Sequence, residues 1–200
     1  MRQSVQFIDW IGVRTAFIGA ALVVLVGGLI ACAEDAPRAG FALKRATVEG
    51  NIERVRELLS AGVDPNAGPY RASGPALGSA ASGGHREIVR MLLEAGANPN
   101  LANDWGYTPL MAAVSGGDLS IVDALIVAGA DVDAATTRGG TTALLSAARH
   151  GNREIVQRLL DAGADPLKRS LAGATPRDIA RRYDHAEVEQ VLLAAERAAD

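Results

Sequence analysis

The pair Ala-Gly returns at Ala61-Gly62, Ala95-Gly96, Ala128-Gly129 and Ala162-Gly163, in steps of 34, 33 and 34 residues. Each time it is followed by Val or Ala and then by Asp or Asn. A fixed period of this length marks a solenoid. One unit of that size cannot bury its own apolar face, so units stack and leave a long groove rather than an enclosed pocket. Composition fits: 48% of the 200 residues are hydrophobic but only 4% are aromatic, which suits a helical array packed with Ala, Leu and Val.

Ahead of the repeats lies a different kind of segment. No residue from Thr15 to Ala33 is charged, and Ala16 to Ala31 is an apolar run set between Arg14 and the pair Glu34-Asp35. Length and charge asymmetry read as an export signal. The run ends in Leu29-Ile30-Ala31-Cys32, similar to the lipobox of bacterial lipoproteins, and Cys32 is the single cysteine of the chain. Three readings stay open for residues 1–33: a lipoprotein signal with lipidation at Cys32, a signal cleaved after Ala33, and an uncleaved membrane anchor of near-minimal length. All three place the remainder outside the cytoplasm, in a periplasmic and membrane-tethered setting, with an outer-membrane lipoprotein favoured. Residues 33–40 then form a polar tether. One cysteine also excludes an intramolecular disulfide and a thiolate metal cluster.

Aligning the turns divides residues 40–197 into five units, near 40–67, 68–101, 102–135, 136–168 and 169–197. The third is the clearest, with Gly106-Tyr107-Thr108-Pro109-Leu110-Met111-Ala112-Ala113, Gly116-Gly117-Asp118, Ile121-Val122, Leu125-Ile126 and Ala128-Gly129-Ala130-Asp131-Val132-Asp133-Ala134. This pattern resembles the ankyrin repeat, and the other units match it in part. The resemblance implies an all-α solenoid of about five helix-turn-helix repeats joined by hairpin-like finger turns.

Physical reasons stand behind the matched positions. Thr108, Thr142 and Thr175 fall where a hydroxyl caps a helix start, with Pro109 and Pro176 in the first turn. Gly50, Gly84, Gly117 and Gly151 recur where a short reversal needs a left-handed residue. Ile88-Val89 with Leu92-Leu93, and Ile155-Val156 with Leu159-Leu160, form one apolar stripe along each second helix and belong to the core. Unit two has Pro75-Ala76 where Thr-Pro stands elsewhere, so its first helix is expected to be the least well capped. The histidine that usually follows Thr-Pro-Leu is replaced by Gly78, Met111, Leu145 and Asp178. Unit five ends in Glu196-Arg197, as expected of a terminal cap with a solvated outer face.

In ankyrin arrays partners usually meet the finger turns and the exposed side of the first helices. Carried onto this chain, the resemblance implies a partner-binding face of Tyr70, Arg71, Asp104, Trp105, Tyr107, Arg138, Arg149, His150, Arg182 and Tyr183, with Leu171 on the last finger and Glu49, Ser82 and Ser115 on the first helices. Only five aromatic residues follow Cys32, and Tyr70, Trp105, Tyr107 and Tyr183 are four of them. Trp, Tyr and Arg dominate interface hot spots, which singles out Trp105 and Tyr107 as partner anchors.

No enzyme is expected. His85 and His185 occupy equivalent positions three units apart and do not converge on a metal. No Ser, Cys or Asp is placed as a nucleophile beside His150, and no glycine-rich loop follows a strand. Charges such as Arg86-Glu87, Arg90-Glu94 and Arg153-Glu154 read as solvated pairs on the outer face. The first 31 residues hold Arg2, Arg14 and Asp9, leaving 18 basic against 22 acidic side chains, a balance that disfavours a nucleic-acid surface. The expectation is a monomeric array without cofactor or metal that binds a protein partner as a scaffold, protective or immunity-type protein of the bacterial envelope. A structural spacer without a high-affinity client is the alternative.

Overall fold

Each repeat is a run of helix-forming residues interrupted by glycine, and the chain responds with paired helices. The computed structural model describes residues 38–68 and 74–199, all within the unit Arg38–Asp200. Among the described residues the helices are α1 (38–48), α2 (Ile52–Ser60), α3 (Ala76–Ser82), α4 (Arg86–Glu94), α5 (Pro109–Gly116), α6 (Leu119–Val127), α7 (Ala143–His150), α8 (Arg153–Asp161), α9 (Pro176–Arg182) and α10 (Ala186–Ala199). No strand occurs among them. The fold is the all-helical ankyrin-repeat solenoid expected from the repeats.

Helix starts follow the capping logic. The Thr108, Thr142 and Thr175 hydroxyls accept hydrogen bonds from the N–H of Met111, Leu145 and Asp178 at 3.2–3.3 Å. Asn51, Asp118 and Asn152 do the same for the second helices α2, α6 and α8. α3 begins at Pro75 with no side-chain cap, as its sequence implies. Between the helices of the first four pairs, Gly50, Gly84, Gly117 and Gly151 take φ of 67°, 70°, 74° and 71°. Asp184 holds the equivalent place in the fifth pair, at φ 59°.

Size and shape of the buried side chains set the curvature. First helices meet their neighbours through alanines, including Ala76, Ala80, Ala81, Ala112, Ala113, Ala147, Ala148 and Ala180, all 3% exposed or less. Second helices present Ile88, Leu92, Ile121, Leu125, Ile155 and Leu159, bulkier groups that are equally buried. Short side chains let helix axes approach, and α3, α5, α7 and α9 pack on one another more extensively than α2, α4, α6 and α8 do. The first-helix side is therefore the concave one. Burying each large aliphatic side chain contributes about 2 kcal/mol before entropy is counted.

Polar bonds then tie repeat to repeat. Asn66 accepts from the Asn98 N–H at 2.7 Å and donates to the Gly96 carbonyl at 3.1 Å; Asn100 repeats this with Asp131 at 2.7 Å and Gly129 at 3.0 Å. Asp133, next in the series, accepts from the Asp165 N–H at 3.1 Å but has no amide to donate. His85 and His185 also act between repeats. The His185 ring lies so close to Gly151 that a Cβ there would sit 2.5 Å from Nδ1, and its Nε2 is 3.0 Å from the Arg149 carbonyl.

Three expectations need correction. Residues 38–40, assigned to the tether, already belong to α1: Gly40 is buried with the backbone of Ala67 and Gly68 against it, an approach only a residue without a side chain permits. Glu196 does not face solvent. It turns inward to Arg177 at 3.0 Å, because α10 packs on α9 at that point. The couples Arg86-Glu87 and Arg153-Glu154 do not form, since neighbours in sequence point away from each other on a helix. Arg86 instead reaches Asp118 of the next repeat at 2.7 Å, and Glu87 accepts from Arg56 of the previous one at 3.3 Å; Arg90–Glu94 pairs within its helix at 2.7 Å as expected.

Candidate protein-binding face

The fingers are held by backbone before any side chain is considered. In the third, Asn103 Oδ1 accepts from the N–H groups of Trp105 and Tyr107 at 3.0 and 2.9 Å, and the Asn103 N–H donates to the Tyr107 carbonyl at 3.1 Å. The Trp105 carbonyl accepts from the Thr137 N–H of the fourth finger at 2.9 Å, and the Gly139 carbonyl accepts from the Leu171 N–H of the fifth at 3.0 Å. Gly106 makes the first of these contacts possible: it has φ 72°, and a Cβ on it would lie 3.2 Å from both Ala135 O and Thr137 N. Trp105 and Leu171 are thus carried on fixed turns while their side chains remain 43% and 72% exposed.

Tyr107 behaves differently from Trp105. It is half-buried against the core and lies along α5, where its hydroxyl donates to the Met111 carbonyl at 3.0 Å and accepts from Ser115 at 2.7 Å. With its polar end satisfied internally, Tyr107 forms a wall rather than a projecting anchor. Ser115 lies 3.5 Å from Ser146, and the Ser146 carbonyl accepts from His150 Nδ1 at 2.7 Å. These bonds fix the orientation of His150 at the end of α7.

The remaining expected residues fall as follows. Asp104 and Arg138 are exposed on the third and fourth fingers; Arg149 and His150 end α7, and Arg182 and Tyr183 end α9, all exposed. The Tyr183 and His185 rings stack with centroids 6.5 Å apart and planes 13° from parallel. Glu49, Ser82 and Ser115 are exposed at corresponding ends of the earlier first helices. Tyr70, Arg71 and the lipidation candidate Cys32 lie outside the described residues, as does the apolar run of residues 16–31. Among the described residues no helix is long and apolar enough to cross a membrane, and no three His, Cys, Asp or Glu side chains are grouped to hold a metal ion.

One feature of this face was not singled out in the sequence. A hollow of about 410 Å³ opens on the concave side of the second repeat, lined by Val48, Gly78, Ser79, Ser82, Asn103 and Tyr107, among others. It exists because Gly78 stands where the next two repeats place Met111 and Leu145, both buried. The signal was present as the odd glycine in that column, but only the stacked structure shows that no neighbour among the described residues fills the space. Nearby, Lys44 occupies the same column in the first repeat. Its side chain is buried and donates to the Gly74 carbonyl, and burial holds its pKa below the ordinary lysine value.

Two carboxylates near the first-helix turns are also perturbed. Burial pushes the Asp118 pKa up, but hydrogen bonds from Arg86 and from the N–H groups of Ile121 and Ser120, with the Arg86 charge, outweigh it and bring the pKa below the usual range. Asp178 is lowered chiefly by the Thr175 N–H and hydroxyl of its capping box. Both serve as caps, and neither faces an enclosed pocket. The hollow is open rather than closed to water, a poor setting for bond-making chemistry.

The model for ankyrin repeats (3 copies) matches residues 43–136, 77–170 and 117–200. The chain belongs to the ankyrin-repeat family. Repeats of this family generally mediate protein–protein interaction and are typically non-enzymatic binding scaffolds. Among curated proteins no match was found.

Proposed function

We propose that the chain is an exported, membrane-tethered ankyrin-repeat protein of the bacterial envelope that binds a partner protein through its concave face. The observation that carries the reading is Trp105, a large aromatic side chain left 43% exposed on a backbone-locked finger. Rigid exposed aromatics bind at low entropic cost, and Trp is enriched among hot spots. The hollow between Gly78 and Tyr107 opens beside the third finger, where Asn103 contributes to both. Export and tethering rest on the apolar run of residues 16–31 and on Cys32. A tether raises the effective concentration of the face for clients at the same membrane. Such a protein works as a scaffold, a protective binder or an immunity-type neutraliser.

The test is photocrosslinking in the native envelope, with a photoreactive residue at Trp105 or at Arg149 and the same probe on the convex residue Gln157 as control. A protein captured from the two concave positions and not from Gln157 supports the reading, and equal labelling from all three opposes it. Intact mass of the mature N-terminus separates a lipidated Cys32 from cleavage after Ala33 and from a retained anchor.

A further inference from the structure

We infer that the partner presents an acidic extended segment to the last two repeats, with an apolar side chain directed at the second and third; this rests on the concave-face reading above. The observation behind it is a segregation of charge along one row of equivalent positions. Val48, Ser82, Ser115, Arg149 and Arg182 follow one another at steps of 34, 33, 34 and 33 residues at the ends of the five first helices, and all are exposed. The row is uncharged in repeats one to three and cationic in repeats four and five. Arg138 on the fourth finger adds a third exposed guanidinium.

Most of the other arginines are paired. Arg45, Arg54, Arg56, Arg86, Arg90, Arg158, Arg177 and Arg181 all form ion pairs between 2.5 and 3.6 Å. Among the described residues Arg138, Arg149 and Arg182 form none; Arg153 on α8, Arg169, which donates to the Gly173 carbonyl, and Arg197 near the end of α10 also form none, but only Arg149 and Arg182 occupy one row on the groove side. Of the carboxylates nearby, Asp178 is committed to the capping box of α9, and Asp184, exposed at the reversal after it, forms no ion pair with Arg182. Glu49, at the far end of the concave side, pairs with Arg45. The second helices carry Glu53, Glu57, Glu87, Glu94, Glu154 and Asp161 beside Arg54, Arg56, Arg86, Arg90, Arg153 and Arg158, all of these arginines but Arg153 being paired, whereas Arg149 and Arg182 stand on the groove side with no ion pair among the described residues. An acidic segment is drawn to the adjacent unpaired guanidiniums of the groove.

The cations are also of the type that suits carboxylates. Lys44 and Lys168 are the only lysines, and both donate to backbone carbonyls, of Gly74 and Asp133. The exposed cations of the groove are guanidiniums, whose planar fork takes a carboxylate with two parallel bonds. Packed helices lie about 8–10 Å apart, and an extended chain advances about 3.3 Å per residue. Carboxylates about three residues apart therefore match Arg149 and Arg182. Continuing the segment toward repeat three brings it to Ser115, 2.7 Å from the Tyr107 hydroxyl, and then to the hollow walled by Tyr107 and Ser82, which fixes the apolar end. That apolar half favours a polypeptide over a nucleic acid or an anionic membrane.

The experiment uses the full chain in detergent and fluorescence anisotropy with a labelled peptide of about ten residues, two Glu spaced three apart and one terminal Leu, against the same peptide with Gln for Glu. The Glu peptide is expected to bind about tenfold more tightly at about 0.1 M salt, the preference fading near 1 M as screening shortens to about 3 Å. The double variant Arg149→Ser, Arg182→Ser should erase the preference, while Arg153→Ser on the convex side should keep it. Serine already occupies this row at Ser82 and Ser115, so the fold accommodates it. Equal binding of the two peptides, binding of neither, or a preference that survives the double variant overturns the inference. So does tighter binding of single-stranded DNA or of phosphatidylglycerol vesicles through the same arginines. Capture of a partner from Trp105 without any charge preference would leave the recognition reading standing and remove only this one.

Discussion

Asp184 is the residue at which this chain departs most plainly from its own rule. Four helix reversals use glycine at φ near 70°, and the fifth forces a side chain into φ 59°. A left-handed conformation costs an L-residue about 1 kcal/mol, somewhat less for Asp. Asp184→Gly is therefore expected to stabilise the chain by about 0.5 kcal/mol, seen as a raised Tm in thermal unfolding; a lowered Tm would mean that the carboxylate makes up for the strain. Asp133 departs in a second way. Asn66 and Asn100 each both accept and donate across a repeat boundary, while Asp133 accepts alone. Asp133→Asn should add the missing bond to the Gly163 carbonyl and raise the urea midpoint by the equivalent of about 1 kcal/mol. The capping threonines and turn glycines were legible in the sequence because their roles are local. The ladder was not, since its bonds join residues about 30 apart in the chain.

At the scale of the element, α3 is the weakest helix. It starts without a cap at Pro75, spans seven residues and carries Gly78 in its middle. A Cβ on Gly78 would meet nothing nearer than Pro75 at 3.9 Å, so Gly78→Ala is expected to stabilise by about 0.5–1 kcal/mol through helix propensity alone. The same methyl enters the hollow. If a partner side chain seats there, the variant is more stable yet binds more weakly, and titration calorimetry with the captured partner against Tm separates the two effects. Poor capping of this helix could be read from Pro75-Ala76, because a cap depends on one residue. The hollow could not, because emptiness depends on what every neighbour leaves unfilled.

For the whole molecule, the repeats hold together through boundary contacts, and some of these respond to acid. Asp118 joins α6 to Arg86 of the preceding repeat, and its pKa lies below the ordinary Asp value near 3.9. A carboxylate lowered in the folded state contributes stability above the unfolded value and loses it as pH falls through the folded one. Asp118→Asn keeps a capping oxygen but removes the charge. The stability gap between wild type and this variant should therefore shrink as pH drops from about 6 to about 2; a gap constant with pH would show that Arg86 does not hold the carboxylate's charge.

What the sequence determined alone is the period, the helix pairs and the family, because a 33–34-residue repeat of caps, glycines and apolar stripes admits one way of burying its apolar faces. The residues proposed to meet a partner, Trp105, Arg149 and Arg182, were also legible from their place in each unit. The tertiary structure decided which of them remain available. It turned Tyr107 inward onto Met111 and Ser115, paired Glu196 with Arg177, opened the hollow over Gly78, and left Arg138, Arg149 and Arg182 without a carboxylate partner among the described residues. Each of these outcomes depends on the distance between side chains in neighbouring repeats, and that distance is set only when the helices stack.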